Sequence, residues 1–456
     1  MYKFIRCDCV TYNSDSSFFD TFLSRIASQN MQTFTVIYLI TLSLTIFVKI
    51  WLATRQIRHV CKYRDSVPEN FSTQINLNEH HKAADYTCAK IRLSYINILL
   101  GALLLLALTL GGGINVLVNF CADWLNNSLA RGMALIIITM LLMSLTEIPI
   151  DYYRTFVVEQ KFDFNKMTPA MFFMDIAKQT LLAALLGMPL LFGMLWLTEE
   201  MGMYWWFYFW LVWIAFNLLV LAIYPTWIAP LFNKFTPLED ISLKTRIEQL
   251  MKKCGFESNG LFVMDGSRRS GHGNAYFTGF GKTKRIVFFD TLLARLDPPE
   301  IEAVLAHELG HFKCHHVIKR IVWTFTMSLV LLWVLGYLIQ QNWFYQGLGV
   351  SLSSEAIGSS SSTAVALLLF LLVMPIFTFF FQPLSSLYSR QHEFEADKYA
   401  ADNASVNDLT RALVKLYQDN AATLTPDPLY SAFYDSHPSA MIRIGRLQSL
   451  AHVGKI

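Results

Sequence analysis

Charged residues are scarce in this sequence. Asp, Glu, Lys and Arg account for 16% of the 456 residues, whereas 54% are hydrophobic. The hydrophobic residues gather into seven runs of about 20, the length that a helix needs to cross a hydrocarbon core of roughly 30 Å. Soluble proteins seldom bury single helices of this length. The scarcity of charge therefore argues against a soluble protein and predicts a polytopic membrane protein.

Paired cysteines are also missing. The seven cysteines form no C-x-x-C pair, so neither a disulfide framework nor a cysteine zinc finger is expected, and the thiols should be reduced. No cleavable signal peptide is evident, since the first apolar run is too long and no small-residue cleavage site follows it. The chain also shows no internal repeat.

The seven apolar runs divide the chain into segments. They lie at Phe34–Ala53, Ser94–Phe120, Met133–Ile150, Thr180–Leu197, Tyr204–Tyr224, Ile321–Ile339 and Thr363–Gln382. We expect an N-terminal tail over 1–33, five spans within 34–224, a cytosolic insert over 225–320, two spans within 321–382 and a C-terminal tail over 383–456. The insert shows one helical and three strand patterns, and the tail shows two helical patterns. The predicted fold is an all-α polytopic membrane protein with a small α+β region.

The net charge of +3 is placed unevenly along the chain. Lys and Arg are abundant in the connections after the first, third and fifth runs, whereas Arg131 is the one clear example after the others. The positive-inside rule places the basic connections and the C-terminus in the cytosol. The same rule places the N-terminus on the opposite side of the membrane, but the N-terminal tail carries Lys3, Arg6 and Arg25. A translation start at Met31 would remove this conflict.

The stretch Ala306–His316 contains the motif HExxH, formed by His307, Glu308 and His311. Helical residues four apart share a face, so both imidazoles can bind one Zn²⁺. Glu308 lies between them in sequence and can act on the attacking water as a general base. The alternative is a pair of helix histidines beside a surface glutamate, with no metal.

The helix that carries the motif has a clear predicted start. Asp297 and Glu300 have the spacing of a capping box, and Pro298 suits the first helical turn. Nothing breaks the helical pattern from there to Ile339. We therefore expect one helix to run from the motif into the sixth span, with the site near the cytosolic face of the membrane.

A catalytic zinc needs a third protein ligand and an open fourth position. Cys314 and His315 follow the motif, but positions 307 and 314 are about 10 Å apart along a helix axis. Three ligands on one helix cannot enclose one ion at that separation. We interpret Cys314 as a packing residue, and His315 and His316 as membrane-interface or surface groups.

A better source of the third ligand is the segment Arg390–Asp397, RQHEFEAD. Glu393 and Asp397 are four residues apart and face one way. Either can bind the metal while the other accepts the distal N–H of a ligating histidine. Glu395 falls on another face and is expected in solvent. An acidic helix face without a metal is the alternative, and the presence of HExxH makes it the weaker one.

Three segments, VLAHELGHFK, SRQHEFEADKYA and DSHPSAMIRI, together resemble the integral-membrane CaaX prenyl protease 1 family, the zinc endopeptidases of prenylprotein processing. The likeness extends to Tyr153–Thr168, Tyr224–Asp240 and Arg268–Leu293. It thus covers nearly everything after the first span, in order. Asp163 stands where the family usually has glycine, which puts the geometry of that loop in question.

The resemblance implies a role for each residue of the two polar motifs. His307, His311 and Glu393 would bind one zinc ion, Glu308 would be the general base, and Asp397 would support a ligating histidine. These roles agree with the chemistry that the spacing already suggested.

The resemblance also implies how the substrate is held. His437 and Arg443 would bind the scissile carbonyl and its oxyanion, which need a hydrogen-bond donor and a cation. Asn274 and Ala275 would lie on an edge strand that pairs with extended substrate.

The fold implied by the resemblance is a ring of seven transmembrane helices around a water-filled chamber, with a zincin-like catalytic region at its cytosolic end. A chamber would account for Lys49, Glu147 and Asp151, which are costly when they face lipid. Pairing of these residues within the bundle, without a chamber, is the alternative.

The leading hypothesis is a membrane zinc metalloendopeptidase that removes the C-terminal tripeptide of prenylated CaaX proteins or peptides at a lipid bilayer, without a nucleic-acid partner. The membrane would be that of the ER in a eukaryote and the cytoplasmic membrane in a bacterium. A quality-control protease for misfolded or unprenylated proteins is an alternative. An alternative of another class is a non-catalytic receptor or transporter with a structural zinc, although structural zinc is normally closed by four protein ligands.

Overall fold

A computed structural model of the chain describes residues 33–257, 260–278, 285–352 and 359–453. The predicted N-terminal tail up to residue 32, with the possible start at Met31, lies outside these ranges. The α-helices of the described residues are α1 (Thr33–Lys62), α2 (Leu77–Leu108), α3 (Gly113–Trp124), α4 (Ser128–Tyr153), α5 (Pro169–Glu200), α6 (Trp205–Ile223), α7 (Ile241–Cys254), α8 (Asp290–Leu293), α9 (Pro298–Lys313), α10 (His316–Leu338), α11 (Asn342–Gly347), α12 (Ser360–Thr378), α13 (Gln382–Asn403), α14 (Val406–Asp419), α15 (Pro428–Tyr434) and α16 (Ala440–Val453).

Seven helical segments are long and apolar enough to cross a membrane, as the sequence predicts. They are Thr33–Lys62, Leu77–Leu108, Ser128–Glu159, Pro169–Glu200, Gly202–Leu231, His316–Leu338 and Ser360–Asn403. The predicted second span, Ser94–Phe120, is wrong at its end, because α2 stops at Leu108 and α3 begins at Gly113. Gly112 takes a left-handed φ of 80° there, which glycine adopts without a steric cost.

The spans are arranged in a ring. Each contacts the next one along the chain, with α2 meeting the π-helical Arg154–Glu159 that continues α4, and α12 contacts α1 and also packs against α4 and α5. A large hydrophobic core fills the ring at the end away from the sheet, and Gly132 of α4 packs there against Ala364 of α12. A chamber that opens toward the sheet end fits this distribution.

The three polar residues expected to avoid lipid have different surroundings. Lys49 Nζ lies 5.1 Å from the centroid of the Phe379 ring, and Asp151 pairs with Arg154 at 2.7 Å. Glu147 is exposed on α4, which a water-filled interior would accommodate.

A four-stranded sheet lies at one end of the ring, in the order β1-β2-β4-β3. Its strands are β1 (Phe235–Pro237), β2 (Leu261–Met264), β3 (Ala275–Thr278) and β4 (Arg285–Phe289). β2 pairs with β4 in parallel, whereas β1 and β3 pair antiparallel with their neighbours. The three predicted strand patterns correspond to β2, β3 and β4. As the last strand in the order, β3 leaves one side free for another extended chain.

Helices α7, α9, α14 and α16 pack around a second core with this sheet. α9 begins with the capping box that the sequence predicts, in which Asp297 and Glu300 satisfy each other's backbone N–H groups. Glu300 is buried and receives Lys415 Nζ at 2.7 Å. These contacts fix the start of the helix that carries the HExxH motif.

The single helix predicted from Pro298 to Ile339 is interrupted. α9 ends at Lys313 and α10 starts at His316, because His315 has a left-handed φ of 57°. A left-handed residue cannot continue a right-handed helix, so the motif helix and the sixth span take separate directions. Asp163, where the resemblance put the geometry of the loop in question, also has a left-handed φ of 67°.

Candidate metal and peptidase site

The site lies where α9 packs against α13. Gly310 of α9 contacts Ala396 of α13 so closely that a Cβ at position 310 would lie 2.9 Å from Ala396 Cα. This approach places the motif face of α9 opposite the face of α13 that carries Glu393 and Asp397. Residues from the predicted insert and from the C-terminal tail thus meet in one site.

Three metal-binding groups converge there. His307 Nε2 lies 3.2 Å from His311 Nε2, and Glu393 oxygens lie 3.5 Å from His307 Nε2 and 3.4 Å from His311 Nε2. With zinc–ligand bonds of about 2.1 Å, the edge of a coordination tetrahedron is about 3.4 Å. Glu393 Oε2 lies near His307 and Oε1 lies near His311, so the three side chains hold donor atoms close to the separations that one tetrahedral zinc ion requires.

The state of the Glu393 carboxylate also fits a metal site. Glu393 is buried, and its Oε2 accepts no hydrogen bond among the described residues. A buried carboxylate oxygen without a hydrogen bond is costly and calls for an ion or another partner. A metal bound by Glu393, His307 and His311 would supply that partner.

His307 is oriented by a second pair of charges. Its Nδ1 lies 2.9 Å from Asp397 Oδ1, so Nε2 is left to face the other donors. Burial alone would lower the pKa of His307, but hydrogen bonds to Asp397 and Glu393 outweigh it and raise the pKa to about 9. Asp397 is held in turn by two hydrogen bonds from Arg443, at 2.6 and 2.9 Å.

His311 has an outer partner that the sequence reasoning missed. His311 Nδ1 lies 3.0 Å from His316 Nδ1, and His316 Nε2 lies 2.9 Å from Glu395 Oε2. His316 is 1% exposed and stacks on the ring of His392 with 4.0 Å between centroids. The prediction that His316 is a membrane-interface or surface group is therefore wrong. Glu395 has 38% of its side chain exposed, as expected of a solvated residue, and it also contacts His316. The break at His315 turns His316 back toward His311, and a continuous helix would not.

A second group of possible ligands adjoins this chain of hydrogen bonds. Donor atoms of Cys314, His316 and Glu395 lie within 4.8 Å of one another. Both ring nitrogens of His316 are already engaged, one with His311 and one with Glu395. We therefore interpret these residues as support for His311 rather than as a metal site.

Glu308 lies beside the three donors at a cavity of about 720 Å³. The lining includes His307, Glu308 and Glu393 from the site and Asn274 and Ala275 from the sheet. Burial raises the pKa of Glu308, while His307 and His311 oppose the rise. A carboxylate of raised pKa beside a metal site is suited to taking a proton from water.

His437 and Arg443 approach the site from the chain after α15. His437 Nε2 lies 3.3 Å from Glu393 Oε1, and its Nδ1 lies 2.9 Å from Ser436 Oγ. The chain packed around His437 lowers its pKa, with Arg443 adding to the effect and Glu393 opposing it, although 61% of the side chain is exposed. Arg443 is buried and Arg443 Nη1 lies 3.6 Å from Glu393 Oε2. Both residues line the same cavity.

Asn274 and Ala275 lie at the start of the edge strand. Ala275 pairs with Phe288 of β4, and the backbone carbonyl of Asn274 accepts a hydrogen bond from the backbone N–H of Phe289. Ala275 N donates to the Asn274 side chain at 2.8 Å. Both residues line the cavity that also contains the metal-binding donors His307 and Glu393.

Comparisons with known proteins agree with this architecture. Residues 56–234 match the family described as CAAX prenyl protease N-terminal, five membrane helices, and residues 237–451 match peptidase family M48. The CAAX prenyl protease 1 homolog of Dictyostelium discoideum is 38% identical over 68% of this chain and 72% of its own length. The chain belongs to the CAAX prenyl protease 1 family.

Other relatives of the family support the assignment. CAAX prenyl protease 1 of Saccharomyces cerevisiae is 35% identical over 69% of this chain and 71% of its own length. The crystal structure of Ste24p from S. mikatae superposes with a TM-score of 0.84 at 30% identity, covering 91% of this chain and 99% of that one. The resemblance drawn from the sequence is thus confirmed.

Family membership makes the chain a membrane metalloprotease. The M48 match and the group formed by His307, His311 and Glu393 together indicate a metal-dependent peptidase. The alternative of a non-catalytic seven-span receptor or transporter does not agree with this family.

Proposed function

We propose that the protein is a zinc endopeptidase that removes the C-terminal tripeptide of prenylated CaaX proteins. The spacing of His307, His311 and Glu393 at about the edge of a zinc tetrahedron carries the proposal. The names of the relatives support the substrate class, since several are CAAX prenyl proteases from different organisms.

Each site residue then has a chemical task. Zinc, when bound by the three donors, polarises the scissile carbonyl and lowers the pKa of a water molecule. Glu308 takes the proton of the attacking water and passes it to the leaving amine. Asp397 accepts a hydrogen bond from His307 Nδ1, so the lone pair on His307 Nε2 is directed at the metal.

His437 and Arg443 would stabilise the oxyanion of the tetrahedral intermediate. The lowered pKa of His437 keeps its imidazole neutral near pH 7, and Nε2 can donate a hydrogen bond in that state. Two N–H groups of Arg443 donate hydrogen bonds to Asp397, and Nη1 is directed toward Glu393. It therefore contributes both positive charge at the site and support for Asp397.

The substrate would bind as an added strand. The free side of β3 at Asn274 and Ala275 can pair with an extended peptide, which positions one peptide bond beside the metal. A prenyl anchor in the membrane would bring the C-terminal segment to the same membrane face. The basic connections at the sheet end favour the cytosolic face.

The direct test compares the purified wild type with Glu308→Gln in detergent. The substrates are matched CaaX peptides with and without a farnesyl group, and the readout is release of the tripeptide by mass spectrometry. The wild type should cleave the farnesylated peptide, and Glu308→Gln should lose about 10²- to 10⁴-fold in rate while keeping its metal. Glu248→Gln, on the exposed face of α7, is the matched control.

Two outcomes would count against the proposal. Equal cleavage of both peptides would favour a quality-control protease that does not require the prenyl group. Bound metal without any Glu308-dependent cleavage would contradict the assigned role of the site.

A further inference from the structure

We propose that Lys90 binds the free C-terminal carboxylate of the substrate and thereby sets the length of the released peptide. This inference rests on the proposed function, because only a substrate cut near its C-terminus brings that carboxylate into the site. The location of Lys90, its lack of an ion-pair partner and the charge of the cavity carry it.

The cavity beside the metal site is lined by one lysine and one arginine, Lys90 and Arg443. Arg443 belongs to the metal site, because its guanidinium is buried and makes two hydrogen bonds to Asp397. Lys90 has no role in that site and is therefore available to another part of the substrate.

Lys90 lies on α2 and its side chain is exposed. Its Nζ lies 4.6 Å from the centroid of the Tyr86 ring. Among the described residues no carboxylate oxygen lies within 4.0 Å of Lys90 Nζ. Lys90 precedes the apolar part of α2, which begins near Ser94, so its ammonium group is open to an anion that enters the cavity.

Glu159 attracts Lys90 beyond ion-pair distance, and both of its oxygens have closer partners. Glu159 Oε1 accepts a hydrogen bond from Tyr86 at 2.7 Å, and Glu159 Oε2 lies 3.6 Å from His272 Nε2. Tyr86 thus contacts both side chains, since its hydroxyl donates a hydrogen bond to Glu159 while the face of its ring contacts Lys90. A carboxylate brought by the substrate would be the ion-pair partner of Lys90.

The chemistry of the proposed reaction calls for such a group. A bond three residues from the chain end lies between two groups that an enzyme can recognise, the prenylated cysteine and the α-carboxylate, and the α-carboxylate is the charged group that every such substrate carries. Three extended residues span at most about 10 Å. Lys90, Asn274 and Glu308 line one cavity, and the inference requires that Lys90 lie within this reach of the metal site.

The experiment compares two farnesylated CaaX peptides that differ in one group, a free C-terminal carboxylate or a C-terminal amide. The wild type should prefer the free acid by about 10- to 100-fold in kcat/KM, the range of a charge-assisted hydrogen bond. Lys90→Met should reduce cleavage of the acid to the level of the amide and leave the amide unchanged. Lys90→Arg should keep most of the preference.

Lys49→Met is the matched control. Lys49 also lies on a membrane span with its Nζ over an aromatic ring, but it is not in the cavity lining. The Lys49→Met variant should keep the wild-type preference for the free acid. All variants should retain their metal.

The outcomes separate this inference from the proposed function. A wild type that cleaves both peptides equally, or a Lys90→Met variant that keeps the preference, would overturn the role of Lys90 and leave the CaaX activity standing. A wild type that cleaves neither peptide would overturn both.

Discussion

Gly310 and Ala396 hold the two halves of the site together. A Cβ at position 310 would lie 2.9 Å from Ala396 Cα and 3.1 Å from Tyr399 Cβ, closer than packed side chains allow. The motif helix α9 can therefore approach α13 closely only because residue 310 is glycine. That approach sets the distance between the two histidines and Glu393.

Substitution of Gly310 by alanine should push α9 away from α13. We expect a loss of about 1–3 kcal/mol in stability from overpacking, together with weaker metal binding. Thermal unfolding and zinc affinity in competition with a chelator would measure the two effects. Gly445→Ala is the control, because a Cβ there meets nothing within 4 Å. Unchanged zinc affinity in Gly310→Ala would contradict the importance of this contact.

His316 should influence the metal although it does not bind it. Loss of the hydrogen bond to His311 in His316→Ala should weaken zinc binding by about 10- to 100-fold, and the visible spectrum of a cobalt-substituted protein should change. His316→Asn offers an acceptor at a similar position and should recover part of the affinity. The exposed neighbour His315, changed to Asn, should behave as wild type, since asparagine tolerates its left-handed backbone.

Zinc binding should release a proton from the site. His307 in the metal-free site has a pKa raised to about 9, so at pH 7 its imidazole is charged and must lose a proton to bind the metal. Apparent zinc affinity should therefore fall as the pH drops below about 9. Calorimetry in buffers of different ionisation enthalpy would count the protons. A heat of binding that is independent of the buffer at pH 7 would contradict the assignment.

The loop at Asp163 should prefer glycine to alanine. Asp163 is exposed with φ of 67°, a conformation that is strained for residues with a Cβ and least strained for glycine. Asp163→Ala should lower the melting temperature, whereas Asp163→Gly should match or exceed the wild type. Asp65→Ala removes another exposed carboxylate and should have little effect. Equal stability of the two Asp163 variants would show that the backbone strain is unimportant.

Much of the architecture could be predicted because its signals are local. The apolar runs predict the spans, and the capping residues Asp297 and Glu300 predict the start of α9. The i, i+4 spacings of HExxH and of Glu393 with Asp397 place each set on one helix face. These patterns depend only on helical periodicity, which the sequence displays directly.

The relationships that the sequence did not reveal depend on backbone conformation and on distant packing. The left-handed conformation of His315 interrupts a pattern that looked helical throughout, and it brings His316 to His311. Lys90 falls in the connection predicted between the first two apolar runs, whereas it lies on helix α2 beside the cavity. Both results arise from contacts between residues far apart in the chain, for which local spacing gives no signal.

The metal content of wild type and Glu393→Gln tests the central claim most directly. We expect one zinc ion per wild-type chain that resists a chelator, and markedly weaker retention in Glu393→Gln, because the amide replaces the anionic ligand from α13. Glu248→Gln should retain zinc as the wild type does. If Glu393→Gln holds zinc as tightly as the wild type, the site built from His307, His311 and Glu393 is contradicted.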